Sequence, residues 1–493
     1  MRLKGTIYFV LLLLFATSSL LLADVESVFD ELNEGKNESS QAKVRLLTDN
    51  HDAWYARWHI IDNAKTSIDT TYYIIDKDAF GMSFLGLLLK KAKEGVSIRF
   101  MVDARGTAAL SHSLLGLDLL QELAAFENVE IKVFNPFHKG LAGVLRNIRR
   151  PISCNHDKIL LVDDKYLIVG GRNISKHYFA KPGSIEGVFR DTDVLLEGSE
   201  VASKARVAFE EEFASLSNYE VQEDWLGNWV SQNRELEIAR RLMFGVMMGR
   251  GLPDLGELSN PDYFLPFFEE MEAFPNLNQY CDFRLWQGER HYPVTILDKH
   301  SHLGTRNDIT KNVIRFIKEA QESIYIQNAY VVLTDDIREA LVGASNRGVK
   351  IILSTNSPDS SDVLMTQVFF VQEWKKLLKD MPTCRIFCFK EEQKLHAKVF
   401  TFDEKISVIG TYNLDYMSDE INSEVVALIK SEPFCRQNNL RIDKDALNAV
   451  EYKIKVERDG EITELTGPAD HCKQATMDMV ERLGCLSFLR PLI

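Results

Sequence analysis

"NHDKILLVDDKYLIVGGRNIS" spans Asn155–Ser175, and its reading decides the fold. An apolar run fit for a buried strand carries a histidine and a lysine two positions apart at its mouth. Residues i and i+2 of a strand point to one side, so His156 and Lys158 are expected to share a face. The same pattern returns as "LHAKVFTFDEKISVIGTYNLD" at Leu395–Asp415. Both copies obey H-x-K-x4-D-x6-G-x2-N: His156, Lys158, Asp163, Gly170 and Asn173, then His396, Lys398, Asp403, Gly410 and Asn413. The histidines stand 240 residues apart (396 − 156), and five positions matching in register point to duplication.

The repeat extends outward. "AKTSIDTTYYII" (Ala64–Ile75) resembles "AQESIYIQNAYVV" (Ala320–Val332), and each precedes an amphipathic helix and a strand opened by Gly-Val. Strands interleaved with helices predict an α/β fold of two duplicated lobes, each a mostly parallel sheet flanked by helices. The expected division is a leader at 1–23, a polar tether at 24–44, lobe one at 45–215, a connection at 216–289, lobe two at 290–435 and an extension at 436–493. At 493 residues the chain can bury two cores.

Hydrophobic residues at 45% and charged residues at 26% are ordinary globular values, and a net charge of −14 argues against a general nucleic-acid binder. Arg2 and Lys4 precede an apolar run from Ile7 to Ala23, 17 residues long, which reads as an export signal or a membrane anchor. "KGLAGVLRNIRR" (Lys139–Arg150) reads as a basic amphipathic helix, either an ordinary surface helix or one suited to anionic headgroups. Seven scattered cysteines fit no zinc pattern.

Two imidazoles, two ammonium groups and two amides form a site suited to a phosphate. Lys158, Lys398, Asn173 and Asn413 would donate to its oxygens, and Gly170, Gly171 and Gly410 would let backbone N–H groups approach. One histidine can attack phosphorus, giving a phosphohistidine, while the other protonates the leaving alkoxide. His156 is taken as nucleophile and His396 as acid, although either order satisfies the symmetry. The lysines supply the positive charge, so neither metal nor cofactor is expected. Each imidazole needs an acceptor to hold its tautomer. Asp191, 35 residues after His156, and Glu424, 28 after His396, are at comparable distances downstream, with Asp193 as the substitute for Asp191. Asp163 and Asp403 are expected to fix a turn and the lysine, with a catalytic contact as the alternative.

The duplicated motif resembles that of the phospholipase D superfamily. "YYIIDKDAFG", "VFNPF", "GGRNISKHYF", "FRDTDV" and "YNLDYMSDEINSE" further resemble bacterial cardiolipin synthases, especially the C-type. That resemblance implies two lobes with one shared active site, and transfer of a phosphatidyl group to an alcohol; the first reading is cardiolipin formed from phosphatidylglycerol and a second phospholipid, with the apolar N-terminus placing the chain at a bacterial envelope membrane. Hydrolysis to phosphatidic acid is the alternative, and a nuclease or a non-catalytic adaptor stands further off. "CNHDK" departs from the family in placing an aspartate at 157, where asparagine is common, and "ILDKHSHLGTRND" matches poorly.

Overall fold

The computed structural model describes residues 24–33, 40–107, 110, 119–134, 152–218, 233–250, 265–272, 274, 276–301, 306–391 and 393–493. The expected leader and the basic helix at 139–150 lie outside them. Among the described residues no helix is long and apolar enough to cross a membrane.

The first half contributes β1 (Gln41–Leu47), β2 (Ser67–Tyr72), β3 (Ser97–Asp103), β4 (Val129–Phe134), β5 (Ile159–Val162), β6 (Tyr166–Gly170), β7 (Phe189–Arg190), β8 (Asp193–Glu197) and β9 (Ser217–Asn218). The second contributes β10 (His291–Lys299), β11 (Ser323–Asn328), β12 (Lys350–Asn356), β13 (Cys384–Phe389), β14 (Lys394–Leu395), β15 (Lys398–Phe402), β16 (Ile406–Gly410) and β17 (Glu424–Lys430), followed by a hairpin of β18 (Val450–Val456) and β19 (Ile462–Thr466). The α/β class and the duplication are as expected, but each sheet is mixed. Parallel pairing joins β2, β3 and β4, and again β11, β12 and β13. The motif strands β5 and β15 run antiparallel to β2 and β11, and each turns back as a hairpin into β6 or β16. A three-residue turn after the motif strand leaves room for no crossover helix, so antiparallel return is the only geometry available.

The two sheets pack face to face. Ile159, Leu161, Leu167 and Val169 meet Val399, Ile409, Val425 and Ala427 in a core shared by both halves, whereas Leu160, Val162 and Ile168 turn to the first half's own core. Burial on both faces explains why the motif strands read as unbroken apolar runs. Strand β1 also pairs with both β8 and β10, tying the halves along an edge.

Residues 24–31 are no loose tether. Asp24 caps a helix at Val25–Glu31, accepting from the Ser27 N–H, and Val25, Val28 and Phe29 are buried in the second half's core. All seven cysteines are unpaired.

Candidate active site

Parallel pairing of β7 with β14 and a bridge between Asn155 and Ser423 clamp the two motif mouths together. The His396 N–H donates to the Arg190 carbonyl at 2.9 Å, and the Ser423 N–H to the Cys154 carbonyl at 3.2 Å. Each half therefore supplies backbone to the other's histidine.

The carboxylates are exchanged as well. His156 Nδ1 lies 3.0 and 3.1 Å from the two oxygens of Glu424, and His396 Nδ1 lies 2.8 Å from Asp191 Oδ2. Proximity in sequence pairs each carboxylate with the histidine of its own half; the structure reverses this, because the halves face each other and each carboxylate points outward across the seam. Asp193 is no substitute for Asp191. Its carboxylate is held by Arg57 at 2.9 Å and Arg172 at 3.1 Å, all three groups buried. Arg172 also donates to the Leu47 and Asp191 carbonyls and to Asn50 Oδ1, so it braces the loop that presents Asp191.

Burial drives the His156 pKa down to about 4 against the pull of Glu424, and burial with Lys398 lowers that of His396 against Asp191. Burial opposes charge on both carboxylates, yet His156 holds Glu424 below its ordinary value, and His396, Lys398 and Arg172 do so for Asp191. An ionised carboxylate only accepts, so each neutral imidazole carries its proton on Nδ1 and leaves the Nε2 lone pair free. That is the state a nucleophile needs.

Lys158 Nζ donates to the His156 carbonyl at 2.8 Å and Lys398 Nζ to the His396 carbonyl at 2.5 Å. Each ammonium retains two further donors. Burial, then the charge of Lys398, pulls Lys158 down to about 8, and burial lowers Lys398 too. The charges of Glu424 on both lysines and of Asp191 on Lys398 pull the other way and keep the ammonium forms. Asn173 is committed, accepting from the Ile74 N–H and donating to Tyr178 Oη. Asn413 is buried, and its Oδ1 has no hydrogen-bond partner among the described residues.

The motif aspartates sit elsewhere. Asp163 accepts from the N–H groups of Lys65, Thr66 and Ser67, and Asp403 from those of Gln321, Glu322 and Ser323. Five residues of extended chain put Asp163 about 16 Å from Lys158. Both sit in a turn, at φ 53° and 51°, but their hydrogen bonds among the described residues go to these strand starts and not to Lys158, Lys398 or an imidazole. The glycines form no phosphate cradle either. A Cβ on Gly170 would fall 2.1 Å from Asp193 Oδ1, one on Gly171 2.2 Å from Asp191 Oδ1, and one on Gly410 2.2 Å from the Val425 carbonyl. The Gly171 N–H is spent on the Thr192 carbonyl. These positions are small because the next strand presses on them.

A sequence profile described as "Cardiolipin synthase, PLD-like domain" matches residues 57–213 and 313–445. The chain belongs to this family. Cardiolipin synthase C of Escherichia coli K12 is 26% identical over 434 residues, covering 83% of this chain and 86% of the relative. An uncharacterised protein of Helicobacter pylori J99 is 25% identical over 429 residues, covering 83% and 80%. The crystal structure of a phosphatidylserine synthase from Haemophilus influenzae shares the fold, with a TM-score of 0.60 at 11% identity, covering 95% of this chain and 100% of that one.

Within this phospholipase D-like framework the aromatic walls differ between the two mouths. Tyr73 stands edge-on to His156 at 5.6 Å, whereas Tyr178 and Phe189 flank His396 at 5.2 Å each. Tyr330, whose hydroxyl donates to Asp362 at 2.7 Å, lies beyond them. Sequence reasoning missed Arg57, Tyr73, Tyr330 and Ser418, the last of which donates to Glu424 at 2.5 Å. Tyr73 lies in the duplicated strand segment and Tyr330 in its counterpart, a signal within reach.

Glu211, Asp298 and His300 gather outside this site. Arg306 already sits 3.1 Å from Glu211 and 3.0 Å from Asp298, supplying the positive charge there.

Proposed function

We propose that the protein is a phosphatidyltransferase of the phospholipase D superfamily that forms cardiolipin from phosphatidylglycerol and a second phospholipid. The observation that carries this is the pair of neutral imidazoles, one from each half, each oriented by the other half's carboxylate beside two buried ammonium groups. His156 Nε2 attacks phosphorus, the phosphorus–oxygen bond to the leaving alcohol breaks, and His396, neutral in the free enzyme and taking a proton from solvent as the phosphate anion binds, gives that alkoxide its proton. His396, now neutral, takes the proton of an incoming glycerol hydroxyl, which displaces His156. Lys158 and Lys398 hold the non-bridging oxygens as negative charge builds there, and the Asn413 amide, which can present either end, is a further donor. Histidine as nucleophile and acid in the opposite order satisfies the same geometry. The name borne by the Escherichia coli relative supports the lipid assignment.

Substrates of this class lie in a bilayer, and the apolar Ile7–Ala23 stretch is the proposed attachment to a bacterial envelope membrane. Labelled phosphatidylglycerol, supplied with and without phosphatidylethanolamine and followed by mass analysis of the lipids, tests the proposal. Labelled cardiolipin supports transfer. Phosphatidic acid as the sole product assigns hydrolysis instead, and no lipid product at all overturns the reading.

A further inference from the structure

Directly behind His156 lies a second polar cluster that the chemistry above leaves unused. Asp157 has the parity of Ile159 and Leu161, which face the second half, so its side chain turns away from the imidazole. It is 5% exposed, and it meets the carboxyl of Glu212, itself 6% exposed, on the helix Ser199–Ser215. Asn155 ties the two: its Oδ1 accepts from the Asp157 N–H at 3.2 Å and its Nδ2 donates to Glu212 Oε2 at 3.0 Å. Thr71 Oγ1 fixes the Asn155 amide from the other side. Ser423 of the second half bridges Asn155 through its backbone, its N–H donating to the Cys154 carbonyl at 3.2 Å, and it immediately precedes the carboxylate that orients His156.

Two carboxyls in contact and out of water cannot both be charged, because neither desolvation nor repulsion is offset. A single proton between them turns repulsion into a charge-assisted hydrogen bond. We propose that Asp157 and Glu212 share one proton and act as a positioning pair, clamping the Ser423–Glu424 segment of the second half onto the His156 mouth of the first. The proposal rests on His156 being a reacting group.

The surroundings bear on where the pair titrates. Facing it are Asp298 and Lys299 from β10, His300 just after it, Glu424 from β17, Asp419 and Glu211, with Asp103 bonded to the Asn155 N–H. Lys299 Nζ is engaged with the Asn422 carbonyl at 2.5 Å and is near enough to feel both carboxyls without neutralising the contact between them. Burial raises Glu212 to about 7 and holds Asp157 well above the carboxylate range. Because the native proton affinity exceeds that of the unfolded chain, stability from this pair is present in acid and falls as pH rises through its titration.

Asp157→Asn and Glu212→Gln each preserve a donor and an acceptor while removing the shared proton. Thermal unfolding midpoints of wild type and both variants are measured from about pH 6 to about pH 9, with no substrate, so the outcome is independent of which lipid reaction occurs. The expected result is that each variant gains about 2–4 °C on wild type as pH rises across that range. Comparison with the variants cancels the opposite pH effect of Lys158. In the transfer assay the alkaline fall of kcat should be steeper for wild type than for either variant, a difference that a purely structural role would not produce. Midpoint curves that run parallel for all three proteins, whatever their offset, overturn the proposal. Absence of lipid product with diverging midpoints would sink the functional reading and leave the shared proton standing.

Discussion

His396 of the second half and Asp191 of the first, 205 residues apart in sequence, are joined by a 2.8 Å hydrogen bond, and His156 and Glu424 repeat the arrangement in reverse. The exchange makes each half incomplete alone. It also fixes which nitrogen of each imidazole is free, so Asp191→Asn or Glu424→Gln should keep the fold and lower kcat on the order of 10³–10⁴-fold by admitting the wrong tautomer. His156→Ala and His396→Ala should abolish turnover. Circular dichroism and unfolding midpoints alongside product formation check that the loss is chemical.

Activity should follow a bell in pH. Below about 4 the His156 lone pair is protonated; on the alkaline side the acid form of His396 is lost first and the Lys158 ammonium above about 8, so kcat/KM falls at both ends. Stability runs the other way at the alkaline end: the folded chain releases the Lys158 proton that the unfolded chain retains, so the cost of burying that charge is relieved as pH rises through about 8. A lysine limb absent from the kcat/KM profile of wild type would remove Lys158 from the phosphate site.

Asp163→Ala and Asp403→Ala should act on stability and not on chemistry. Each carboxylate accepts from three successive backbone N–H groups at the start of a strand, and losing that costs about 1–2 kcal/mol. Those N–H groups hold the Asp163 carboxyl below its ordinary value against burial, so its contribution is full above the carboxylate range and is lost as pH falls through it. Urea midpoints should shift while kcat of the folded enzyme stays within about twofold.

Gly171→Ala is expected to be the reverse case. The new methyl would stand 2.2 Å from Asp191 Oδ1, so the carboxylate must move off His396. Turnover should drop more than an unfolding midpoint measured on the same preparation suggests, and Asp191→Asn should add little further loss in the double variant.

Removal of divalent cations by EDTA should leave the transfer rate unchanged, since two buried ammonium groups, each bonded to the carbonyl of its motif histidine, supply positive charge at the site. A rate that collapses on chelation and returns with one particular cation would contradict the scheme.

Much of this was legible before folding was considered. A strand's two-residue period puts His156 beside Lys158, and an apolar run of four residues after Lys158 marks a strand buried on both sides; neither inference needs a distant contact. The repeat at 240 residues announced two equivalent halves, and Asp191 and Glu424 were legible as imidazole partners from residue type and position. What sequence could not supply was who meets whom across the seam. Distance along a chain says nothing about which face of one half lies against the other, so proximity in sequence pairs the carboxylates with the wrong histidines. It likewise cannot show that a glycine is small because a neighbouring strand's carboxylate crowds it, or that Asp163 lies at the far end of its strand binding backbone. Those roles are set by packing between segments far apart in sequence, where contact is decided by the stacking of two sheets and not by any local preference.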